Sequence, residues 1–600
     1  MPSRLSSFHE GEVAVQQMLH VPPSGNPTSA GLPMAYAHRV GASPLLALGT
    51  LDKEGRPWTT VWGGERGFAA PVAEGVLGFR SEVDVRHDPV FAALWEGESG
   101  GLVQPNQGRG KMMAALSIDL ETRDRVKLAG MMIAGSSEAG TGAEADVQAA
   151  MAVTESLGNC PKYINKKDVK RHSPADAQLV SDGLPLPKEA LQLMDRADMF
   201  FLSSTNGQTM DTNHRGGTAG FVRVAKNEAD EVVLVYPEFS GNRLYQSLGN
   251  LRVNPLVGIV IPDYDSSDAL YLTGEASILV GAEASSLLAR SKLAVKINVS
   301  SARFVKGGLP FRGTRVEASP YNPPLRLLLS EKESHVTDAG AQVDITVNLV
   351  EREIISPTIG RLTFQLTSES GQRLPTWFAG QHLTLDFEPE LGVGYSHMRD
   401  DDPQSLNDDL VRTFTISSSP SSSGRVELTV RRHGPATNLL WRHDTRVPLS
   451  IAVLGFGGEE AFRMPTTTGG AQPVFVAGGV GVTPLLAQAS AVLDAAVDLR
   501  VLWSLRHEDL ALAVRAFEDI PGLAAVTSLY VTGRDGDENL LKKLQALGAA
   551  RVERRRLGKG DVDELKGAER KFYLCAGPAL LRLLDGWLDG EKVVREDFGY

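Results

Sequence analysis

The segment LLALGTLDKEGRPWTTVWGGERGF at 45–68 has a counterpart in MFFLSSTNGQTMDTNHRGGTAGF at 199–221. Both read as apolar strand, polar turn, polar strand, glycine pair and Gly-Phe. A chain that carries one such unit twice must build the same β-rich body twice, because both copies have the same faces to bury. Two further matches follow in the same order. DPVFAALW (88–95) pairs with NPLVGIVI (254–261), each an Asp/Asn-Pro ahead of an apolar segment. IDLETRDRVKLAGMMI (118–133) pairs with PDYDSSDALYLTGEASI (262–278), each ending in a strand with an internal glycine.

Punctuation divides the rest. VPPSGNPTSAGLP (21–33) sets off an N-terminal arm, 1–35, from a first β unit over 36–165 and a second over 166–285. Within the first, AGSSEAGTGAEAD (134–146) reads as a mobile insertion or loop. The irregular, Pro-rich stretch 286–340 around SPYNPPL reads as a linker. A β-rich section covers 341–465, and PTTTGGAQ (465–472) marks a last hinge. Over 466–600, apolar strands (VFVAGG, LRVLWSL, VTSLYVTG, KFYLCAG) alternate with amphipathic segments such as ENLLKKLQALG. That alternation predicts a parallel α/β domain.

The 600 residues carry a net charge of −12, which argues against a broad nucleic-acid or anionic-membrane surface. Two cysteines, Cys160 and Cys575, exclude a disulfide framework and an on-chain iron–sulfur cluster, which needs about four thiolates. No apolar run approaches the ~20 residues of a membrane span, and MPSRLSSFHEGE lacks the apolar core of a secretory signal. The expectation is a cytoplasmic protein without metal centre, nucleic-acid or membrane partner.

In the C-terminal half, FVAGGVGVTPLLAQ (475–488) runs from an apolar strand through glycines into a helix, a turn that lets backbone and helix dipole meet a pyrophosphate. RTFTISSSP (412–420) sets an arginine, an aromatic and a hydroxyl along a strand. RRHGPATNLLW (431–441) leads through Gly434 to Thr437 and Asn438, suited to a second phosphate. YLCAGPALL (573–581) ends a strand at Cys575 ahead of Gly-Pro and a helix. In this order the pieces, spanning 340–600, resemble the ferredoxin–NADP reductase superfamily, especially its phthalate dioxygenase reductase-like and flavohaemoglobin-reductase-like members.

The resemblance implies an antiparallel FAD barrel followed by a nucleotide-binding domain. It implies that Arg412 grips the FAD pyrophosphate, Phe414 stacks on the isoalloxazine and Thr415 bonds flavin N5. Gly434, Thr437 and Asn438 fit the second FAD phosphate segment. Gly478, Gly479, Gly481 and Thr483 fit the NAD(P)H loop, with Cys575 and Gly577 beside the nicotinamide; Thr415, Thr483 and Cys575 form the catalytic set. Arg506 and Arg534 follow strands where relatives meet a 2′-phosphate, which inclines the reading toward NADPH over NADH. REDFG (595–599) matches the end of the reductase module, with no ferredoxin appendage after it; Phe598 is the expected aromatic cover, with a frayed terminus as the alternative.

In the N-terminal half, FHEGEVAVQQ (8–17), GNCPKYIN (158–165), DTNHRGGTAGFVRV (211–224) and YPEFSGNRLYQSLGN (236–250) resemble pyridoxamine 5′-phosphate oxidase-like FMN-binding split barrels fused to a flavin reductase. Gly241-Asn242-Arg243 stands where that family has Ser-Arg-Lys, so Asn242 and Arg243 are the expected FMN phosphate contacts, without the lysine. His214 and Arg215 suit a phosphate or acidic ligand; His214 also suits acid–base or haem-ligating work, and both also suit a structural turn. Such barrels dimerise, so two copies imply an intrachain pseudo-dimer in which one of two sites is degenerate.

The fold expected is multidomain: tandem β split barrels, an antiparallel β-barrel FAD domain, and an α/β parallel-sheet nucleotide-binding domain. The function expected is an NAD(P)H-dependent flavoprotein oxidoreductase. Hydride goes to FAD and electrons go on to an unnamed small-molecule or protein acceptor, through a flavin or substrate site in the split barrels. The alternatives are a reductase serving a separate partner, with the barrels as docking or haem/flavin modules, and a flavin or haem binder with a vestigial reductase.

Overall fold

The computed structural model describes residues 7–96, 101–158, 160–331, 345–368, 373–392, 394–421, 423–533 and 538–596. It divides into two units: Met1–Lys332 with Tyr395–Asp408, and Glu333–Gly394 with Asp409–Tyr600. The chain is multidomain, mostly antiparallel β-sheet with one parallel sheet.

Unit 1 holds two large antiparallel sheets. The first contains β1 (Leu45–Leu51), β2 (Pro57–Gly63), β3 (Ala69–Ala73), β4 (Val76–Asp84), β5 (Lys111–Asp119), β6 (Asp124–Ala139) and β7 (Glu144–Gly158). The second contains β8 (Met199–Thr205), β9 (Met210–Gly216), β10 (Arg223–Asn227), β11 (Val232–Pro237), β12 (Leu256–Pro262), β13 (Ala269–Val280) and β14 (Leu293–Lys306). Their orders are β2-β1-β5-β6-β7-β4-β3 and β9-β8-β12-β13-β14-β11-β10, the same path twice. The two copies meet at small residues. A Cβ on Gly49 of β1 would run into the Ser203 hydroxyl of β8, and Ser203 Oγ itself lies 2.8 Å from Thr59 Oγ1 and 2.9 Å from Thr212 Oγ1.

Three expectations are corrected here. Asp88-Pro89 and Asn254-Pro255 are not equivalent. Asp88 caps the helix α2 (Pro89–Trp95) by accepting from Val90 N at 2.8 Å and Phe91 N at 3.0 Å, whereas Leu256–Pro262 is a strand. Phe-Ala-Ala-Leu favours a helix and Val-Gly-Ile-Val-Ile a strand, and residue type overrides the shared dipeptide. The segment 134–146 is not a loop but the tip of the β6–β7 hairpin, whose pairing continues to Ala139↔Ala145. The supposed linker 286–340 carries β14, which joins β11 and β13, and a strand Phe311–Glu317 that pairs with Lys166–Arg171. The second β unit therefore runs past 285.

The N-terminal arm also folds. The helix α1 (Glu10–Met18) crosses α3 (Gln246–Val253; α2 lies between them in sequence) at Gly11 and Gly249, where either Cβ would strike the other helix's backbone. Residues 395–408 are bonded into unit 1: Lys162 Nζ donates to His397 O at 2.7 Å, Asn407 Nδ2 to the Tyr163 hydroxyl at 2.9 Å, and Gln404 Nε2 to Pro320 O at 2.6 Å.

Unit 2 begins with β15 (Ile345–Ile354), β16 (Ile359–Ser368), β17 (His382–Asp386), β18 (Val411–Thr415), β19 (Arg425–Arg431) and β20 (Ser450–Gly457), ordered β18-β17-β20-β15-β16-β19. A bridge between Ile416 and Leu428 joins the two end strands and closes the sheet into a barrel. Its second sheet is parallel: β21 (Gln472–Gly478), β22 (Arg500–Arg506), β23 (Thr527–Thr532), β24 (Arg551–Glu553), β25 (Arg570–Cys575) and β26 (Val593–Glu596), ordered β24-β23-β22-β21-β25-β26. Alternate residues of β21 serve opposite cores, Phe475 and Ala477 on one face, Val474 and Val476 on the other. Burial on both faces explains its continuous apolar run.

Candidate functional site

In unit 2 the parallel sheet is laid outward from β21 to β24 on one side, and the chain then crosses to start β25 on the other. β21 and β25 thus flank the switch point, where open α/β sheets bind ligands at the carboxyl ends of their strands. Both glycine turns expected from the sequence leave these two strands. Gly479 has φ +58°, a conformation that costs other residues strain. A Cβ on Gly481 would strike the carbonyl oxygen of Cys575, and one on Gly478 would approach Ala576 Cβ to 2.9 Å. The two turns therefore touch through backbone, and the Gly479 carbonyl is fixed by Trp503 Nε1 at 2.9 Å. Thr483 opens α5 (Thr483–Asp494; α4 is Gly434–Arg442) and is buried, and Gly577 caps a helix over Pro578–Trp587 with open space on its Cβ side.

Cys575 is 1% exposed and sits in the core of the sheet. Its neighbour across β26 is Glu596, whose Oε1 lies 3.2 Å from His382 Nδ1 on β17 of the barrel. His382 in turn pairs with Thr415 on β18. Thr415, His382, Glu596 and Cys575 thus form a continuous chain of neighbours from barrel to sheet. His382 escapes sequence reasoning because QHLTLDF is an ordinary alternating strand in which a histidine has no marked spacing.

Other expected residues scatter in role. The Arg412 guanidinium donates to Val411 O at 3.0 Å and lies 3.8 Å from Asp409 Oδ1. Phe414 is not presented to a ligand: it packs edge-on to Phe387, ring centroids 6.3 Å apart, inside the barrel core. It is 7% exposed and belongs to that core, in place of the expected flavin stacking. Gly434 has φ +74° with open space beside it, as a phosphate-facing turn requires. Thr437 Oγ1 is occupied by the backbone of His433, accepting from N and donating to O, both at 2.6 Å. Asn438 Oδ1 accepts from Arg432 Nε at 2.8 Å. Arg506 is exposed beside Glu508 at 3.3 Å. Arg534 and Phe598 lie outside the described residues.

In unit 1, His214 and Arg215 are strand residues of β9, the first buried and the second half-buried, and not a surface turn. Arg215 Nε donates to Glu238 Oε1 at 2.6 Å. Arg125 Nη1 from β6 lies against the His214 ring, 2.8 Å from Nε2. Burial and the adjacent Arg125 hold the His214 imidazole well below its usual range, so it is neutral. Lys127 pairs with Asp211 and donates to Gln246 Oε1 at 2.6 Å. Asn242 closes a turn by accepting from Leu244 N at 3.1 Å, and the Arg243 guanidinium sits 3.6 Å over the Tyr395 ring. Sequence reasoning gave no role to Arg125 and Lys127, within the repeated segment 118–133, or to Lys162, within GNCPKYIN.

No family model matches the chain, and no curated protein does. Solved structures resemble part of it. Full-length CYP116B46 from Tepidiphilus thermophilus is 18% identical with a TM-score of 0.31; the match covers 44% of this chain and only 30% of that protein. The flavohem-like FAD/NAD binding domain of a nitric oxide dioxygenase from Vibrio cholerae is 16% identical, TM-score 0.30, covering 42% of this chain and 98% of that one. A ferredoxin NADP+ reductase from Neisseria gonorrhoeae, with bound FAD and NADP, is 14% identical, TM-score 0.28, covering 43% and 100%. No described helix is long and apolar enough to cross a membrane.

Proposed function

We propose that unit 2 is an NAD(P)H-dependent FAD oxidoreductase that passes electrons to an acceptor served by unit 1. The observation that carries this is the pair of glycine turns in backbone contact at the switch point, one closing on Cys575, whose cross-strand neighbour Glu596 meets His382 of the barrel. The residues fit the two cofactors in part. Gly434 and Gly577 leave open space where a Cβ would stand, at the start of α4 and of the helix over Pro578–Trp587, and helix N-termini attract phosphate. Arg412 would hold the FAD pyrophosphate and the Gly478–Thr483 turn the nicotinamide nucleotide, while Phe414 is withdrawn from the set. When bound, FAD accepts hydride from NAD(P)H and supplies the redox chemistry.

The chain's own work is orientation. Gly481 lets one turn lie flat on the other, Trp503 pins the Gly479 carbonyl, and buried Cys575 and Thr483 keep the meeting point dry. Glu596, held by His382, is the acidic group beside that point. Arg506, exposed at the end of β22, is assigned to the 2′-phosphate of NADPH. Arg506→Ala should raise KM for NADPH several-fold while leaving KM for NADH unchanged; equal effects on both would remove the assignment.

The test of the whole reading is cofactor extraction from the purified protein, followed by anaerobic mixing with NAD(P)H. Extracted FAD and bleaching of its absorbance are expected, slowed by Thr483→Ala or Cys575→Ala at full flavin content. A protein that neither retains nor binds FAD would end this reading.

A further inference from the structure

Asp509 stands at the start of α6 (Leu510–Asp519) and is 0% exposed. An aspartate in that position ordinarily accepts from the free N–H groups of the first helical turn. Asp509 makes no such bond with its own helix. Its carboxylate is engaged by the barrel instead. Arg431 Nη2, at the end of β19, donates to Asp509 Oδ2 at 2.5 Å. The Thr358 hydroxyl donates to Oδ1 at 3.0 Å, and Ser356 Oγ lies 3.4 Å from the same oxygen. Thr358 also accepts twice from β19 and its end: Oγ1 from Arg431 Nη1 at 2.9 Å, and O from Arg432 N at 2.7 Å. Arg431 is the only cation paired with Asp509 among the described residues.

The place of Arg431 gives this arrangement its meaning. Arg431 ends β19 and leads directly into Arg432, His433 and Gly434, the turn that opens α4. Its Nη2 lies 3.6 Å from where a Cβ would stand on Gly479, the φ +58° glycine of the other turn. One guanidinium is thus continuous with the Gly434 turn, lies beside the Gly479 turn, and is held by a carboxylate from beyond β22. Adhesion of the two parts does not need the pair. Ile359, next to Thr358, is buried in the core of the parallel sheet. Two more ion pairs join β15 and β16 to α6, Arg361 with Asp519 at 2.7 Å and Arg515 with Glu353 at 3.2 Å. The Arg515 pair is exposed on both sides, and such pairs hold geometry weakly. A fully buried carboxylate, by contrast, is costly away from its partner and so keeps it in place.

We infer that Arg431 and Asp509 are positioning residues that fix the spacing between the Gly434 and Gly479 turns, and with it the approach of nicotinamide to flavin. This rests on the reductase reading of unit 2, in which those turns carry FAD and NAD(P)H. Neither residue touches a reacting atom in this role. Transfer between two held groups is sensitive to spacing, and a misplacement of about 1 Å can cost about a hundredfold in rate.

The test uses the full-length, FAD-loaded protein and the double variant Arg431→Met with Asp509→Leu, which leaves no charge unpaired. Apolar replacement of a whole buried pair is often neutral for stability. Melting temperature and FAD content should therefore stay at the parent's values. The limiting rate of flavin reduction at saturating NAD(P)H should fall at least tenfold, with the half-saturating concentration changed less than threefold. The long-wavelength charge-transfer absorbance of nicotinamide stacked on flavin should weaken with it. Without nucleotide, amide exchange over 432–438 and 478–483 should quicken. Arg431→Lys keeps a charge for Asp509 but not the fork that spans Asp509 and Thr358, and should fall between parent and double variant. Arg515→Ala should change none of these readings. A double variant with the parent's rate and exchange overturns the inference and leaves the reductase reading standing. Loss of FAD, or a lower melting temperature matching the loss of rate, marks a purely structural pair and overturns it too. Where the double variant does not fold, Arg431→Lys decides alone: a several-fold loss of rate at full FAD content supports the inference, and the parent's rate overturns it. A parent protein that binds no FAD ends both readings.

Discussion

Glu12 shows how much a single buried group can set. It lies in the first turn of α1, accepts from His9 N at 3.0 Å, and is pushed up to about 7, first by burial. A carboxyl raised in the folded state binds its proton more tightly there than in the unfolded chain. Stability is therefore fully present below the unfolded value and falls as pH rises toward 7. Glu12→Gln keeps the acceptor and removes the charge. Above pH 7 it should stabilise the protein by ~1–3 kcal/mol, and near pH 4.5 by nothing, as read from denaturant midpoints across that range. Arg412 carries a different expectation. Charge-assisted phosphate contacts contribute about 1.5–3 kcal/mol, so Arg412→Ala should weaken FAD retention roughly tenfold or more. Unchanged FAD affinity would leave Arg412 with only its Val411 and Asp409 contacts. Arg412 is legible in the sequence because a strand with Arg, an aromatic and a hydroxyl is an unusual string. Phe414 is misread from the same string, since the inward direction of a side chain depends on barrel register. Arg125 is invisible: in DRVKLAG it looks like any charged strand residue, and its contact with His214 comes from the second copy, far along the chain.

At the level of elements, the two glycine turns make the sharpest contrast. Gly481→Ala drives a methyl into the Cys575 carbonyl, and such overpacking costs about 1–3 kcal/mol. It should lower the melting temperature and slow flavin reduction together. Gly577→Ala meets nothing within 4 Å and keeps an ordinary φ of −66°. It should leave melting unchanged and raise KM for the nicotinamide nucleotide, because the added methyl fills only space that a ligand uses. Loss of stability in the second variant, or normal kinetics in both, would detach these turns from cofactor binding. The repeated sheet is legible because strand, turn and glycine pair recur together. The α2 helix and the β12 strand are confused because Asp-Pro caps a helix at Asp88, while Asn254 follows one. The β6–β7 tip is hidden by small residues, Gly, Ser and Ala, that suit a loop as well as a hairpin.

For the molecule as a whole, unit 1 is discontinuous: residues 395–408 belong to it, although they lie between β17 and β18 of unit 2. They supply the carbonyl on Lys162, the ring on Arg243 and the amide on Tyr163. A chain of residues 1–332 lacks all three. It should melt below the same unit in the full-length protein, with faster amide exchange over 160–165 and 239–245, and adding the rest of the chain in trans should not restore it. Equal protection in the shortened chain would show that the excursion is ornamental. The same discontinuity imposes an order on synthesis. A nascent chain reaches residue 332 with both large sheets available to pair, yet Arg243 and Lys162 wait until the ribosome has added the fourteen residues that end at Asp408. The barrel strands β15 to β17 emerge in between, so early folding of unit 2 and final closure of unit 1 are steps of one assembly and not two independent events.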